Sequence, residues 1–189
     1  MPLLLQRNYD IAPGNPGNLA TAAMMWGFIL FRGGDYAQGP NPRVRGIAEQ
    51  LIYTAAQGGQ RPGRLLQAGL IYRWVQEHML YIGDHLTFEE LHDTDYILNL
   101  IAAYGRMQGD CDDYVILMGA LLASVGIPFD ITLTSARADR VYDHVWLIAE
   151  MESGQRVPMD AITQQPFGWM VPGQAITSGT IVEMPIQYR

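Results

Sequence analysis

Lysine is absent from this chain, so arginine supplies all twelve of its basic residues. The 19 acidic residues outnumber them, and the formal net charge is −7. A nucleic-acid-binding surface needs basic side chains clustered on one face or along one helix, and this sequence has no such cluster. We therefore expect no nucleic-acid partner.

The chain contains a single cysteine, Cys111. One thiol cannot form an internal disulfide framework, and it is too few for a zinc site built on cysteine ligands. A lone thiol requires no oxidising environment, so it is compatible with any redox compartment. The absence of partner cysteines leaves two roles for this side chain, that of a small buried hydrophobe and that of a reactive group.

Long apolar runs are also missing. The apolar stretch at residues 19–31 covers 13 residues, whereas a helix that spans a bilayer needs about 20. Residues 1–5 carry no basic side chain ahead of their apolar residues, as the start of a signal peptide would. We expect neither a signal peptide nor a membrane span, and hence a protein that works where it is made or is packaged into an assembly.

Hydrophobic residues make up 49% of the chain and charged residues only 16%, which is typical of a compact globular protein. Helical spacing of apolar residues gives way to strand-like alternation after about two thirds of the chain. The predicted helices cover 19–32 (capped by Asn18), 42–57, 64–78, 94–104 and 112–125, with a loop at 81–91 and a turn at 105–109; the predicted strands cover 129–135, 144–151, 155–160 and 180–185. We expect an irregular N-terminal arm at 1–18 and a single domain at 19–189. The fold class is α+β, with N-terminal helices packed on a C-terminal antiparallel sheet.

Cys111 lies within Gly-Asp-Cys-Asp-Asp, directly before a strongly apolar run. This places it in the first turn of a helix, where backbone N–H groups and the helix dipole stabilise a thiolate. Asp110 is the predicted N-cap, and Asp113 follows it as a capping-box-like partner. The acidic neighbours oppose thiolate formation, so a nearby imidazolium becomes more necessary.

His144 begins a predicted strand, and Asp160 ends the next one. A hairpin that turns at Ser153 brings two such positions side by side, so Asp160 could hold the imidazole of His144 toward the thiol. A nucleophile, a base and an acid that orients the base are the parts of a catalytic triad. The other histidines, His78, His85 and His92, belong to the helical or loop half and have no acid on a partner strand.

Several segments taken together resemble the transglutaminase-like superfamily of the papain-like fold, over about residues 20–165. They are Gly109-Asp110-Cys111-Asp112-Asp113-Tyr114, residues 121–128, His144-Val145-Trp146, Asp160, and upstream residues 41–45, Trp74-Val75, Tyr81, Asp84 and Glu90-Leu91. The upstream segments are similar to domains encoded in phage and prophage genomes. This sequence departs from the family at one place: Asp93-Thr94-Asp95 replace a proline that is often found after Glu-x-Leu. The resemblance implies that Cys111 is the nucleophile, His144 the base and Asp160 the orienting acid.

Two further features of the site stay open at this point. As oxyanion donor, the backbone N–H of Cys111 ranks above the side chains of Trp74 and Gln108. The carboxylates of Asp110, Asp112 and Asp113 are hard oxygen ligands suited to calcium, and some bacterial relatives bind calcium beside the thiol. Helix capping with solvent exposure is the favoured alternative. No cofactor is required by the predicted chemistry.

Three functions remain. The first is a cysteine peptidase or amidase, in which water resolves a thioester on Cys111. The second is a transglutaminase, in which an amine replaces water; the absence of lysine favours it slightly. The third is a virion or assembly component that uses the fold as a scaffold and docks other phage structural proteins through the first helix, the arm at 1–18 and the tail at 166–189. The expected partner of the enzyme is a protein or peptide substrate, and the expected location is cytoplasmic or virion-associated.

Overall fold

A computed structural model describes residues 6–8, 14–31, 40–56, 59, 62–83, 90–185 and 188. The helices are α1 (Asn15–Leu30), α2 (Pro42–Ala55), α3 (Arg64–His78), α4 (Thr94–Tyr104) and α5 (Cys111–Ser124). The strands are β1 (Gln6–Asn8), β2 (Met79–Tyr81), β3 (Glu90–His92), β4 (Met107–Gly109), β5 (Phe129–Ser135), β6 (His144–Glu150), β7 (Arg156–Met159) and β8 (Ser178–Val182). This is the predicted α+β order of helices followed by a sheet.

The C-terminal strands form one antiparallel sheet in the order β7-β6-β5-β8. Two small pairings lie apart from it, an antiparallel one between β1 and β3 and a parallel one between β2 and β4. Each small pairing includes a strand that lies against α5, β3 in the first and β4 in the second. β4 ends two residues before Cys111.

Helix α5 is the centre of the core. It packs against α1, α2, α3 and α4 and against strands β5 and β6, and every residue from Asp112 to Leu122 is buried. A helix that is apolar on all sides is stable only when neighbours surround it. The elements packed around α5 therefore explain the strongly apolar run in its sequence. Gly119 permits the close approach, because a Cβ there would lie 3.0 Å from Ile29 Cδ1 and 3.1 Å from Phe129 Cζ.

The helix predictions are confirmed for α3 and α4 at both ends and for α2 and α5 to within two residues. The first helix begins before the predicted residue 19: it begins at Asn15, after Gly14 with φ of 78° and with a proline in its first turn, and it ends at Leu30. Asn18 is therefore inside the helix and is not its cap. Proline fits the first turn of a helix, so Pro16 is the sequence signal that marks the earlier start.

The predicted sheet strands are confirmed, but with different bounds for three of them. β5 matches residue for residue, β6 and β7 are shorter than predicted, and β8 begins two residues before the predicted 180–185 and ends three residues earlier. The strands β1 to β4 were not predicted; β4 falls in the predicted turn at 105–109, β2 and β3 in or beside the predicted loop, and β1 in the predicted irregular arm. Three-residue strands are too short to show an alternation, so only their pairing partners define them. Residues 1–5 and 9–13 of the arm, and 84–89 of the loop, lie outside the described residues.

Helix α1 packs inside the chain rather than presenting its apolar side outward. Ala22, Met25, Trp26, Phe28 and Ile29 are all nearly inaccessible, and the helix lies against α5 and β8. The ring of Trp26 stacks on that of Phe129, with 5.1 Å between their centroids. The first helix therefore does not supply the exposed apolar surface on which the scaffold hypothesis partly relied. Among the described residues, no helix is both long and apolar enough to cross a membrane.

Candidate active site

Cys111 is the first residue of α5, and the cap of that helix is the predicted one. Asp110 has an extended backbone, and its Oδ1 accepts hydrogen bonds from the N–H of Asp112 at 3.1 Å and of Asp113 at 3.3 Å. An aspartate at this position satisfies backbone donors that the helix itself leaves unpaired. The Cys111 side chain is partly buried, with Sγ 3.8 Å from Oδ1 of Asp112.

The third acid of the motif, Asp113, turns away from the thiol and contacts His92 of β3. Both of its carboxylate oxygens lie 3.0 Å from Nδ1 of His92, and Oδ1 also accepts from the His92 backbone N–H at 3.3 Å. Because a carboxylate only accepts, Nδ1 carries the proton. Gly109 makes room for this carboxylate, since a Cβ there would lie 2.5 Å from Oδ2 of Asp113. His92 thus has an acid partner that the sequence did not indicate, and this acid lies on a helix rather than on a partner strand.

This contact fixes β3 to the first turn of α5 and shifts both ionisation equilibria. Burial lowers the pKa of His92, but the bond to Asp113 and the charges of Asp113, Glu90 and Asp110 outweigh it, and the pKa is raised above 6.5. Burial raises the pKa of the more deeply buried Asp113, and its bonds to His92 oppose that shift. The His92 ring also stacks on Tyr96, 4.5 Å between centroids.

We expect His92→Leu to lower the free energy of unfolding by about 2–3 kcal/mol, since it leaves a buried carboxylate without its main donor. The raised pKa of His92 stabilises the folded state fully below about pH 6.5, and that contribution is lost as pH rises through the raised value. The difference between wild type and variant in urea unfolding should therefore be larger at pH 6 than at pH 9. His78→Leu is the control, because His78 of α3 is half-buried and its Nδ1 contacts the carbonyl oxygen of Trp74 rather than a carboxylate. An equal loss in both variants would contradict the assignment.

His144 and Asp160 are brought together by the hairpin of β6 and β7. His144 Nε2 lies 2.9 Å from Oδ2 of Asp160. The strands pair Leu147 with Met159; carried one residue further, the same register sets Asp160 across from Trp146 and diagonal to His144 on the same face. Diagonal neighbours of this kind are within reach of long side chains. Asp160 is 5% exposed, and His144, the first residue of the inner strand β6, has a 22% exposed side chain.

The loop that precedes His144 is held by the start of α1. Asn18 Nδ2 donates to the carbonyl oxygen of Tyr142 at 2.6 Å, and Asn15 Oδ1 accepts from the Tyr142 backbone N–H at 2.8 Å. Asn15 Nδ2 also donates to the carbonyl of Arg140, a residue with φ of 58°. Asn18, predicted as a helix cap, instead fixes the chain just ahead of His144.

Cys111 and His144 line one cleft of about 220 Å³. The start of α5, the start of α1, the end of β2 and the loop before β6 form its walls. The lining residues are Asn18, Thr21, Met25, Tyr81, Gly83, Asp110, Cys111, Asp112, Leu133, Tyr142, Asp143, His144 and Val145. Sequence reasoning did not identify Tyr81 and Tyr142 as part of this site, because they reach it only through the β2–β4 pairing and the contact of the loop with α1.

The geometry narrows the choice of oxyanion donors. The cap takes the N–H groups of Asp112 and Asp113, so the N–H of Cys111 stays the predicted donor. Trp74 lines a different cleft, between α2 and α3, and its ring stacks on His78 at 4.3 Å. Gln108 is exposed on β4. Neither of these two side chains lines the cleft of Cys111, among the residues that the structure describes.

The residues around the thiol are a weak match to a calcium site. Asp110, Cys111 and Asp112 bring their ligand atoms within 4.8 Å of one another, but Asp113 is bonded to His92 and belongs to neither this group nor the cleft lining. Calcium takes about six to eight oxygen ligands, and a thiol is not among those it prefers. Two carboxylates, one of them already capping a helix, supply too few. Calcium binding stays a prediction, and no step below uses a metal.

Comparison with known proteins supports the fold. No family model matches the chain, and no curated protein matches it. A solved structure from Parabacteroides distasonis, described as a "putative protease", superposes with a TM-score of 0.51 at 12% sequence identity, over 82% of this chain and 27% of that one. A "putative cysteine protease" from Cytophaga hutchinsonii gives a TM-score of 0.47 at 15% identity, over 86% of this chain and 52% of that one.

The chain thus spans about a quarter of the length of the first protein and half of the second. At this level of identity the likeness is one of fold. The structure itself has the predicted α+β architecture, in which helices precede an antiparallel sheet and the cysteine begins a central helix.

Proposed function

We propose that this protein is a thiol-dependent acyl-transfer enzyme, a cysteine peptidase or amidase, with Cys111 as nucleophile, His144 as base and Asp160 as the acid that orients the base. The observation that carries the proposal is the 2.9 Å contact between His144 Nε2 and Asp160 Oδ2, made by a histidine that lines the same cleft as Cys111. A nucleophile and a base in one cleft, with an acid bonded to the base, form the arrangement that such catalysis requires.

The first half-reaction follows from the protonation of His144. Since the Asp160 carboxylate accepts from Nε2–H, Nδ1 is the nitrogen left to take the thiol proton. The sulfur then attacks a carbonyl carbon, an S–C bond forms, and the carbonyl π electrons move to the oxygen. Collapse of this intermediate breaks the C–N bond, and the imidazolium of His144 gives its proton to the leaving amine.

The second half-reaction regenerates the thiol. The acyl group is held as a thioester on Cys111, and His144 is again neutral. Water gives a proton to His144 Nδ1 and attacks the thioester carbon; the carboxylic acid leaves and the proton returns to sulfur. Where an amine enters in place of water, the same steps form a new amide, so hydrolase and transferase share all three residues.

The test is the rate of alkylation of Cys111 by iodoacetamide across pH, in wild type and in His144→Ala. Only the thiolate reacts, so a thiol paired with an imidazolium is alkylated rapidly at pH 6, whereas an ordinary thiol is not. We expect a loss of about tenfold or more at pH 6 in His144→Ala and little change at pH 9, where thiols ionise unaided. Slow labelling in wild type that is unchanged in His144→Ala would overturn the proposal. His78→Ala, a histidine outside the cleft, is the matched control.

A further inference from the structure

We propose that Tyr72 and Gln76 of α3 are positioning residues for the orienting acid: they hold the turn that carries Asp160, so that its carboxylate stays directed at His144. This inference rests on the proposed function, since it assigns a support to one member of the proposed triad. Tyr72 and Gln76 are four residues apart on one helix and therefore project from the same face.

Asp160 lies just beyond the sheet. The β6–β7 ladder ends with the pairing of Met159, and the chain then enters an irregular turn at 161–165. The carboxylate itself is fixed weakly, because Oδ2 bonds to His144 while Oδ1 is buried with no hydrogen-bond partner in the described part of the chain. Its direction must therefore be set through its backbone.

Helix α3 supplies the contacts that fix this backbone. The hydroxyl of Tyr72 lies 3.0 Å from the carbonyl oxygen of Asp160 and 3.1 Å from that of Gln165, and its one proton is shared between them. The amide of Gln76 donates to the carbonyl of Thr163 at 2.6 Å and to that of Gln165 at 3.2 Å. Within the turn, the Thr163 hydroxyl donates to the carbonyl of Asp160 at 2.9 Å. Two side chains of one rigid helix thus bind three carbonyls of the turn.

Tyr72 is suited to this task. It is 2% exposed, and its ring packs against Phe167, 5.6 Å between centroids. Burial raises the pKa of its hydroxyl; a hydrogen bond with Thr163 lowers it, and the charge of Asp160 raises it again. The hydroxyl therefore remains protonated, and remains a donor, across the pH range in which the site would work.

The decisive variants are Tyr72→Phe, Gln76→Leu and the pair of them together. Each removes donors to the turn and keeps the bulk of the side chain. Gln67→Leu is the matched control, because Gln67 is a buried glutamine of the same helix that donates to a backbone carbonyl, that of Pro62. A loss of stability alone should appear in the control as well, whereas displacement of Asp160 should not.

The readout is the ratio of iodoacetamide alkylation rates of Cys111 at pH 6 and pH 9. We expect the double variant to lower the pH 6 rate by about tenfold and to leave the pH 9 rate unchanged, since small displacements of catalytic groups cost rate steeply. Tyr72→Phe alone should lower the pH 6 rate by about threefold, the equivalent of one ordinary hydrogen bond. In NMR spectra, the Nε2 proton signal of His144 should broaden in the variants through faster exchange with water.

Two kinds of failure are distinguishable. If wild type itself lacks rapid alkylation at pH 6 that depends on His144, the proposed function fails, and this inference with it. If wild type has that property and the double variant retains it, with the Nε2 signal unchanged, only the role of Tyr72 and Gln76 is overturned. An equal change in Gln67→Leu would also overturn it, because a general structural effect would then explain the result. Should the double variant not fold, the isosteric Tyr72→Phe decides alone.

Discussion

Replacement of Cys111 by alanine is expected to remove acyl transfer almost entirely, by a factor of about 10⁵ or more, because no other group can form the covalent intermediate. The chain offers no second thiol that could substitute. The side chain is small and only partly buried, so its loss should leave the fold intact. The effect should therefore fall on the rate constant of the reaction and not on the amount of folded protein.

The measurement is a profile of products from a peptide library incubated with the protein and a fluorescent primary amine. Hydrolysis yields shortened peptides, and amine transfer yields labelled ones, so the experiment also identifies the acceptor. Cys111→Ser is the size-matched control, since an alcohol is a far weaker nucleophile than a thiolate at neutral pH. Products that persist in both Cys111→Ala and Cys111→Ser would show that another residue, or another protein in the preparation, carries the activity.

Asp160→Asn is expected to have the second-largest effect, a fall in kcat/KM of about 10²–10⁴-fold. In a comparable triad, the change to asparagine retains the geometry but removes the charge and favours the wrong tautomer of the histidine. Here the amide would face Nε2 of His144, and the imidazolium formed during attack would lose its stabilising carboxylate. The loss should be greatest at low pH, where the ion pair between the His144 imidazolium and the Cys111 thiolate contributes most to keeping the sulfur ionised.

The matched control for this variant is Asp130→Asn. Asp130 is as buried as Asp160 and lies on β5 of the sheet that Asp160 follows. Its carboxylate bonds to Arg156 at 2.6 Å and accepts from the backbone N–H of Met184 at 2.8 Å. Asp130→Asn should lower the midpoint of thermal unfolding and leave kcat/KM per folded molecule unchanged. Asp160→Asn should lower kcat/KM and leave the midpoint of thermal unfolding unchanged. A similar kinetic loss in both variants would argue that Asp160 acts through stability alone.

Much of the fold could be predicted because the apolar residues of its main helices and strands recur at the spacing typical of each element. The apolar spacing of α3 and α4 and the β-branched run of β5 define those elements at both ends. The start of α5 could be predicted as well, since Asp110 is a residue that caps helices and it directly precedes the apolar run. The hairpin length also set the approach of His144 and Asp160, because register follows from the turn.

The remaining features depend on contacts between distant segments. The pairing of His92 with Asp113 joins residues 21 apart through a three-residue strand that has no readable period. The bond from Asn18 to the carbonyl of Tyr142 joins residues 124 apart. Asparagine before an apolar run indicates a cap when only neighbours are considered, and the alternative role exists only where a loop is folded against it.

The roles of His144 and Asp160 as partners of Cys111 stay a prediction. The sequence by itself determined the order of the helices and of the strands of the C-terminal sheet, and the position of Cys111 at the start of a buried helix. These depend on periodicity, capping and turn length, which act over a few residues. Only the tertiary structure decided that Asp113 bonds to His92, that Asn18 holds the loop before His144, and that Tyr72 and Gln76 bind the turn after Asp160. Each of these requires two segments to be packed together, and hydrogen bonds of this kind are formed only once the core has brought their groups into reach.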